Sequence, residues 1–285
     1  MNPPYRLVAG VRPEIERTLA DAAHAGEQDL ALADTALALS AAARPALDLA
    51  PYRAHLSEIA TCVAAEAQVR PDTLDGRVAA LREALVERLG YRGDRDSYDD
   101  LRNADLAGVI DRRRGLPVSL AILWIHAARA QGWAASGLAF PSHFLIRVDG
   151  PGGRAILDPF NGGAVLETKA LRGLLKRFEG PGAELQNHHY ASVPDRTVLL
   201  RLQNNIKTRL LKAEDFRGAL ATLERMLMLA PADPALWHEA GLVHVGLDNL
   251  RAGVMCLEQA HALVEAPGAK SRIAMEIQAL KGRLN

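Results

Sequence analysis

The stretch RRRGLPVSLAILWIHAARAQG, residues 112–132, constrains the fold of this chain more than any other segment. Proline suits the first turn of a helix and glycine the position just past its last turn, so we predict a helix from Pro117 to Gly132. Apolar residues cover nearly the whole circumference of this helix. A helix that is apolar all round has to be buried inside a domain. Other elements of the chain must therefore enclose it.

Charge and cysteine content exclude several classes of function. The 285 residues carry 34 basic and 34 acidic side chains, so no overall field recruits nucleic acid or an acidic membrane. Cys62 and Cys256 make no metal-ligand spacing and fit a reducing compartment. The N-terminus lacks a basic segment followed by an apolar one, and no apolar run is long enough to span a bilayer. We predict a cytoplasmic protein without metal or cofactor that contacts neither nucleic acid nor membrane.

The sequence divides into three regions by pattern. Residues 1–90 are alanine-rich and helical in periodicity, and a helix from about Asp75 is closed by Gly90. Residues 91–197 begin with a polar loop and contain, after the buried helix, segments that alternate as strands do. Residues 198–285 return to a helical pattern. We therefore predict an α+β protein with an N-terminal helical region, a buried helix on an antiparallel sheet, and C-terminal helices.

The last two predicted strands form a hairpin at DGPGG, residues 149–153. A turn centred just after its first glycine places Val148 opposite Gly153 and His143 opposite Asp158. Directly opposed side chains have Cβ atoms roughly 4.5–5.5 Å apart, within reach of an imidazole–carboxylate contact. A carboxylate beside a histidine orients the imidazole and stabilises its charged form, as a general base requires. The pair is either such a base with its orienting acid or a structural hydrogen bond at a strand end.

An internal offset of 34 residues marks the C-terminal region. At this offset the sequence aligns Arg217, Ala219, Leu223 and Glu224 with Arg251, Gly253, Leu257 and Glu258. Trp237 and Gly241 open the second unit, whereas Gln203 and Lys207 stand at the corresponding positions of the first. The spacing resembles that of tetratricopeptide repeats. Two units and a closing helix over about 268–284 either bind a partner, with Trp237 as a candidate binding residue, or cover the central domain.

Three segments in order, DRRRGLPVSLAILWIHAARAQGW, FPSHFLIRV and ILDPFNGG, resemble the SirB family of transglutaminase-like proteins, which have a papain-like core followed by tetratricopeptide repeats. The resemblance covers most of the chain. It implies a papain-like central domain and assigns the histidine and aspartate of the family to His143 and Asp158.

The resemblance leaves the nucleophile of the family without a counterpart. In active relatives a cysteine begins the central helix two residues after a glycine, and counting from Gly115 puts Pro117 at that position. Ser119 is the hydroxyl nearest to it, but two helical steps rotate this residue about 200° from Pro117, away from the expected place of His143. Ser119 is therefore either a substitute nucleophile or a first-turn residue bonded to the backbone.

Two further features bear on the predicted cleft. Asn161, in the motif DPFNGG, is a turn residue and a candidate ligand contact. The basic cluster Arg112–Arg114 is expected at a solvated helix entrance, and it either pairs with the acidic loop Asp94–Asp100 or lines the mouth of the cleft with it.

These residues favour a binding or scaffolding protein, with a peptide or protein partner held by the repeats or the cleft, over an enzyme. The alternative is a hydrolase or acyl transferase that works without cysteine, with His143 and Asp158 activating Ser119 or water. A direct regulator of transcription is a third hypothesis, and nothing in the sequence reads nucleic acid.

Overall fold

The computed structural model describes residues 11–26 and 30–284. Its helices are α1 (Pro13–His24), α2 (Leu32–Ala43), α3 (Ala50–Gln68), α4 (Leu74–Arg82), α5 (Leu106–Arg112), α6 (Pro117–Arg129), α7 (Thr168–Glu179), α8 (Asp195–Lys212), α9 (Phe216–Leu229), α10 (Pro234–Gly246), α11 (Leu250–Leu263) and α12 (Pro267–Leu284). Its strands are β1 (Arg92–Gly93), β2 (Arg114–Gly115), β3 (Ala135–Leu138), β4 (Ile146–Gly150), β5 (Gly153–Asp158), β6 (Ala164–Val165) and β7 (Ser192–Val193). The predicted α+β class is confirmed.

The central sheet is antiparallel and has the strand order β6-β5-β4-β3-β7. Helix α6 packs against β3 and β4 on this sheet and against α3 and the 3₁₀ turn Pro159–Asn161. The predicted buried helix is confirmed, since it begins at Pro117 and most of its residues are fully enclosed. It ends at Arg129, and Gly132 follows with a φ of 73°, a left-handed conformation that favours glycine.

The helix predicted from Asp75 to Gly90 is present with one irregularity. Helix α4 begins after Thr73, whose hydroxyl accepts a hydrogen bond from the Gly76 N–H at 3.1 Å. The backbone then continues as a π-helical turn over Glu83–Arg88 and ends at Gly90, with a φ of 73°. π-Helical turns are rare, and nothing in the apolar periodicity signals this one.

The polar segment after Gly90, predicted to be a long loop, contains regular structure. Strand β1 pairs in parallel with β2, and a 3₁₀ helix spans Leu101–Ala104. No pattern in the sequence signals this pairing, because each strand has only two residues.

The predicted register of the hairpin is wrong by two residues. Gly150 pairs with Gly153, and Val148 pairs with Ala155 instead of Gly153. The turn is centred one residue later than predicted because Pro151 and Gly152 occupy its two central positions, Gly152 with a φ of 84°. An even shift keeps each side chain on the same face of the sheet.

The described residues form two compact units. Among these residues, one unit contains residue 26 with 30–40 and 47–202, and the other contains 11–25, 41–46 and 203–284, so that α1 packs on α9 beside the repeats. The division at 90 and 197 stays a prediction.

The repeat array consists of α9 to α12 with the end of α8, as the 34-residue offset predicts. The interiors of its two repeat units differ in polarity. Trp237 and Gly241 of the second unit are buried among apolar residues, whereas Gln203 and Lys207 of the first are buried polar side chains. Lys207 forms an ion pair with Glu239 of the second unit.

Candidate functional site

Asp158 organises the candidate site. It is the last residue of β5 and is 2% exposed. Its Oδ1 accepts hydrogen bonds from the N–H groups of Phe160 and Asn161 at 3.1 and 3.2 Å, and its Oδ2 accepts one from Nδ2 of Asn161 at 2.6 Å. These bonds cap the 3₁₀ turn Pro159–Asn161. The motif DPFN therefore encodes a turn that is built around a buried carboxylate.

The two glycines after this turn are required by its geometry. Gly162 and Gly163 have φ values of 66° and 69°, and the Gly163 N–H donates to the carbonyl of Asp158 at 2.8 Å. A Cβ at Gly163 would lie 2.0 Å from Cη2 of Trp124 in α6, whereas one at Gly162 would meet open space. The turn thus locks β5 against the buried helix.

His143 reaches Asp158 from a bend that precedes β4. Its Nε2 lies 3.0 Å from Oδ2 of Asp158, and the two side chains are 10% and 3% exposed. The geometry is that of a close ion pair and not of a well-aligned hydrogen bond. Ser142, with a φ of 57°, turns the chain so that the histidine faces the carboxylate although it is not part of the strand.

Two aromatic rings hold the imidazole of His143 in place. The ring of Phe160 meets it edge to face at a centroid distance of 6.2 Å, and the ring of Phe178 stacks on it at 6.3 Å and 15°. Because Nε2 faces Asp158, Nδ1 is the ring nitrogen left for a ligand. Phe178 belongs to α7 and is 43% exposed, so it forms an outer wall of the site.

The electrostatics of the pair favour the ionised carboxylate. Burial on its own would raise the pKa of Asp158, but the contact with His143 and the hydrogen bonds from Asn161 outweigh it and lower that pKa. Asp158 is therefore charged at neutral pH and presents a carboxylate to the imidazole.

The helix side of the site differs from the strand side. Pro117 is the first residue of α6 and is buried. Ser119 is 0% exposed, and its hydroxyl lies 2.7 Å from the carbonyl oxygen of Asn103 and 3.0 Å from that of Leu116. The structure thus brings His143, Asp158 and Asn161 together and directs the Ser119 hydroxyl to backbone carbonyls.

A loop rim, defined as residues 94–103, borders the strand side. Nη2 of Arg95 donates to Oδ1 of Asn161, and its guanidinium carbon lies 5.7 Å from the centre of the Phe160 ring. Tyr98, 44% exposed, meets the same ring edge to face at 5.9 Å. Phe160 therefore contacts the loop rim and His143 at once.

Buried polar residues fix the loop rim. Asp94 is fully buried and accepts hydrogen bonds from the N–H and hydroxyl of Ser97 at 2.9 and 2.7 Å and from Arg112 at 2.7 Å. Burial would raise the pKa of Asp94, but the bonds from Ser97, Arg112 and Asn103 lower it well below its usual range. Arg114 pairs with Asp96 at 3.0 Å. Arg112 and Arg114 of the basic cluster therefore pair with the acidic loop, whereas Arg113 turns to Tyr91 and His55.

The remaining candidates lie away from this site. Trp237 is 1% exposed and donates from Nε1 to the carbonyl of Pro231 at 2.8 Å, so it packs in the core of its repeat. Nδ1 of His189 accepts from the N–H of Gln186 at 3.0 Å, which gives the pair His188-His189 a local structural role. Within residues 11–26 and 30–284, no group of three or more His, Cys, Asp or Glu side chains is placed to hold a metal ion.

Sequence reasoning missed Arg95, Tyr98 and Phe178. Nothing in the local pattern links residues of a polar loop or a surface helix to a histidine on another element. The one available signal was that Phe178 ends an amphipathic helix as a large exposed apolar side chain.

Comparison with known proteins identifies the family. Residues 50–204, more than half of the chain, match the model described as transglutaminase-like superfamily. The chain belongs to the transglutaminase-like superfamily. Residues 206–285 match the tetratricopeptide repeat model, as the 34-residue offset predicts. The resemblance of the sequence to the SirB family of transglutaminase-like proteins is confirmed by both matches. No solved structure matches the chain.

Several curated relatives are UPF0162 proteins. One from Pseudomonas aeruginosa is 31% identical over 252 residues, which cover 87% of this chain and 90% of that protein. One from Vibrio cholerae is 33% identical over 215 residues, covering 75% and 78%. One from Xylella fastidiosa is 34% identical over 182 residues, and here the match spans 63% of this chain and 64% of the relative. In the part of the chain that the structure describes, no helix is long and apolar enough to cross a bilayer.

Proposed function

We propose that this transglutaminase-like protein binds a peptide segment of a partner protein in the cleft of His143 and Asp158 and does not cleave it. The carrying observation is the contrast across the cleft. His143 and Asp158 lie 3.0 Å apart, while Pro117 begins the helix and the Ser119 hydroxyl is bonded to two carbonyls. A side chain acts as the nucleophile when its hydroxyl or thiol lies within hydrogen-bond reach of the base. Pro117 has no such group, and the hydroxyl of Ser119 is bonded to backbone carbonyls instead.

The groups around His143 and Asp158 suit a peptide. Asn161, Nδ1 of His143 and Arg95 offer hydrogen bonds, and Phe160, Phe178 and Tyr98 offer aromatic surface. Polar groups set among aromatic walls are typical of small-ligand and peptide sites. The tetratricopeptide array in the same chain supports a role in protein interaction, and we place its contribution on the repeat surface and not at Trp237.

The competing function is a hydrolase in which His143 activates Ser119 or a water molecule. A serine-reactive phosphonate separates the serine form from the proposal. We expect intact-mass spectra of the treated protein to show no adduct at Ser119. An adduct at Ser119 that disappears in His143→Ala would overturn the proposal.

The water form is tested with a peptide that binds. We expect a fluorescently labelled peptide selected for binding from a random library to shift the Asn161 side-chain amide in ¹H–¹⁵N spectra and to remain intact after prolonged incubation. Cleavage of that peptide by the wild type and not by His143→Ala would establish the hydrolase. Binding that leaves the Asn161 and His143 signals unmoved would place the ligand elsewhere and refute the cleft as its site.

A further inference from the structure

We infer that Arg95 is an anion-recognition residue of the cleft and that the bound peptide presents a carboxylate to it. The inference rests on the proposed peptide-binding role and names the chemistry of its ligand.

Arg95 differs in its partners from three nearby arginines. Arg112 pairs with Asp94 at 2.7 Å, Arg114 with Asp96 at 3.0 Å, and Arg102 with Asp100 at 2.6 Å. Among the described residues, no carboxylate oxygen lies within 4.0 Å of the Arg95 guanidinium, whose hydrogen bond goes to an uncharged amide oxygen instead. Three carboxylates of the loop rim, those of Asp94, Asp96 and Asp100, are thus paired with other cations, and the charge of Arg95 is left for an external partner.

The guanidinium of Arg95 is also held in position. Asn161 bonds to one of its nitrogens, and the Phe160 ring lies beneath its central carbon at 5.7 Å. Arginine has five N–H donors in a planar fork, so most of them stay available for a bidentate contact with a carboxylate. A side chain that is already oriented loses less conformational entropy when it binds.

A continuous set of contacts joins Arg95 to the centre of the site. Asn161 accepts from Arg95 through Oδ1 and donates to Asp158 through Nδ2, and Asp158 contacts His143. Arg95 and His143 moreover contact the same Phe160 ring. A ligand that lies along Phe160 therefore meets the cation at one end and Nδ1 of the imidazole at the other.

The carboxylate has two possible sources, an acidic side chain or the C-terminus of the peptide. We test them with two matched pairs of probes, each carrying a phenyl ring for the aromatic walls. The first pair is acetyl-phenylalanine and its amide. The second pair is acetyl-Asp-Phe-amide and acetyl-Asn-Phe-amide. Affinity is measured from shifts of the Asn161 amide in ¹H–¹⁵N spectra of the full chain at low salt.

We expect the acid to bind about tenfold more tightly than its matched amide in at least one pair. A preference in the first pair identifies a terminal carboxylate, and one in the second identifies a side chain. Arg95→Gln, which keeps a donor for Asn161 and removes the charge, should abolish the preference. Arg92→Gln, which removes the same charge from an exposed residue of β1, should retain it.

Equal affinities for acid and amide in both pairs, or a preference that survives Arg95→Gln, would overturn the inference and leave peptide binding in the cleft intact. If none of the four probes shifts the Asn161 and His143 signals up to its solubility limit, the inference and the proposed function both fail.

Discussion

The two sides of the candidate cleft are built in opposite ways. On the strand side, a buried carboxylate gathers hydrogen bonds from its own turn and stands beside a histidine. On the helix side, a proline begins α6 and a buried hydroxyl bonds to backbone carbonyls. The strand side contains a buried carboxylate and an imidazole, which are costly to bury. The helix side contains a proline and a hydroxyl that is bonded to the backbone. The difference teaches that the His143–Asp158 contact depends on the strand side alone and needs no hydroxyl or thiol from the start of α6.

The largest effect is expected on the thiol pKa of a cysteine placed at position 117 or at position 119. Pro117→Cys should have a thiol pKa below the usual value of about 8.5, because a helix N-terminus and a protonated histidine both stabilise a thiolate. Ser119→Cys should have a raised pKa, since its side chain is buried against carbonyl oxygens. Thiolate absorbance near 240 nm as a function of pH, taken as a difference from the wild type, measures both.

Subtracting the absorbance of the wild type removes the contributions of Cys62 and Cys256. His143→Ala in the Pro117→Cys background should raise the pKa again. If Pro117→Cys titrates like an ordinary thiol whether or not His143 is present, residue 117 does not face the histidine and the comparison between the two sides fails.

The Gly-Gly turn offers a matched pair on the strand side. Gly163→Ala should destabilise the protein by about 3 kcal/mol, because it adds the cost of a left-handed alanine to an overlap with Trp124. Gly162→Ala carries the backbone cost alone, about 1 kcal/mol. Urea unfolding of both variants measures the difference. Equal losses would mean that the turn does not press on α6.

Ser119→Ala tests the structural role of the hydroxyl. We expect a loss of about 1 kcal/mol in the free energy of unfolding, the net value of a hydrogen bond whose acceptors are backbone carbonyls. Peptide affinity in the cleft should stay within twofold of the wild type. A tenfold loss of affinity at unchanged stability would instead assign Ser119 to the ligand site.

The smallest effect is the pH dependence of stability contributed by Asp158. The pKa of Asp158 is lowered in the folded protein, so the unfolded state binds more protons near pH 4. Its stabilisation is therefore present in full above the unfolded pKa of about 3.9 and is lost as pH falls through the lowered folded pKa.

The free energy of unfolding of wild type minus that of Asp158→Asn, from urea titrations at pH 7, 5, 4 and 3, measures this contribution. The difference should be smaller at pH 3 than at pH 5. A difference that grows between pH 5 and pH 3 would contradict the direction of the pKa shift.

Features set by neighbouring residues could be predicted from the sequence, and features set by contacts between distant parts of the chain could not. Pro117 and Gly132 predicted the two ends of the buried helix, because proline and glycine act on the local backbone. The proximity of His143 and Asp158 was predicted from two opposed strand positions, but it arises in another way. His143 lies on the bend before β4, where Ser142, with a φ of 57°, turns the chain towards the carboxylate. Arg95 and Phe178 join the site only through tertiary contacts with Asn161 and His143, which no local pattern encodes.

The polar interior of the first repeat has a consequence for the evolution of the array. Lys207 is buried and its charge is balanced by Glu239 of the second repeat, while Gln203 contacts Arg225 at 3.3 Å. The side chain of Lys207 is 8% exposed, so removing Glu239 would leave a buried ammonium group without this partner. A repeat inserted between the two would therefore need a carboxylate at the position of Glu239. The junction thus restricts which kind of repeat can follow the first.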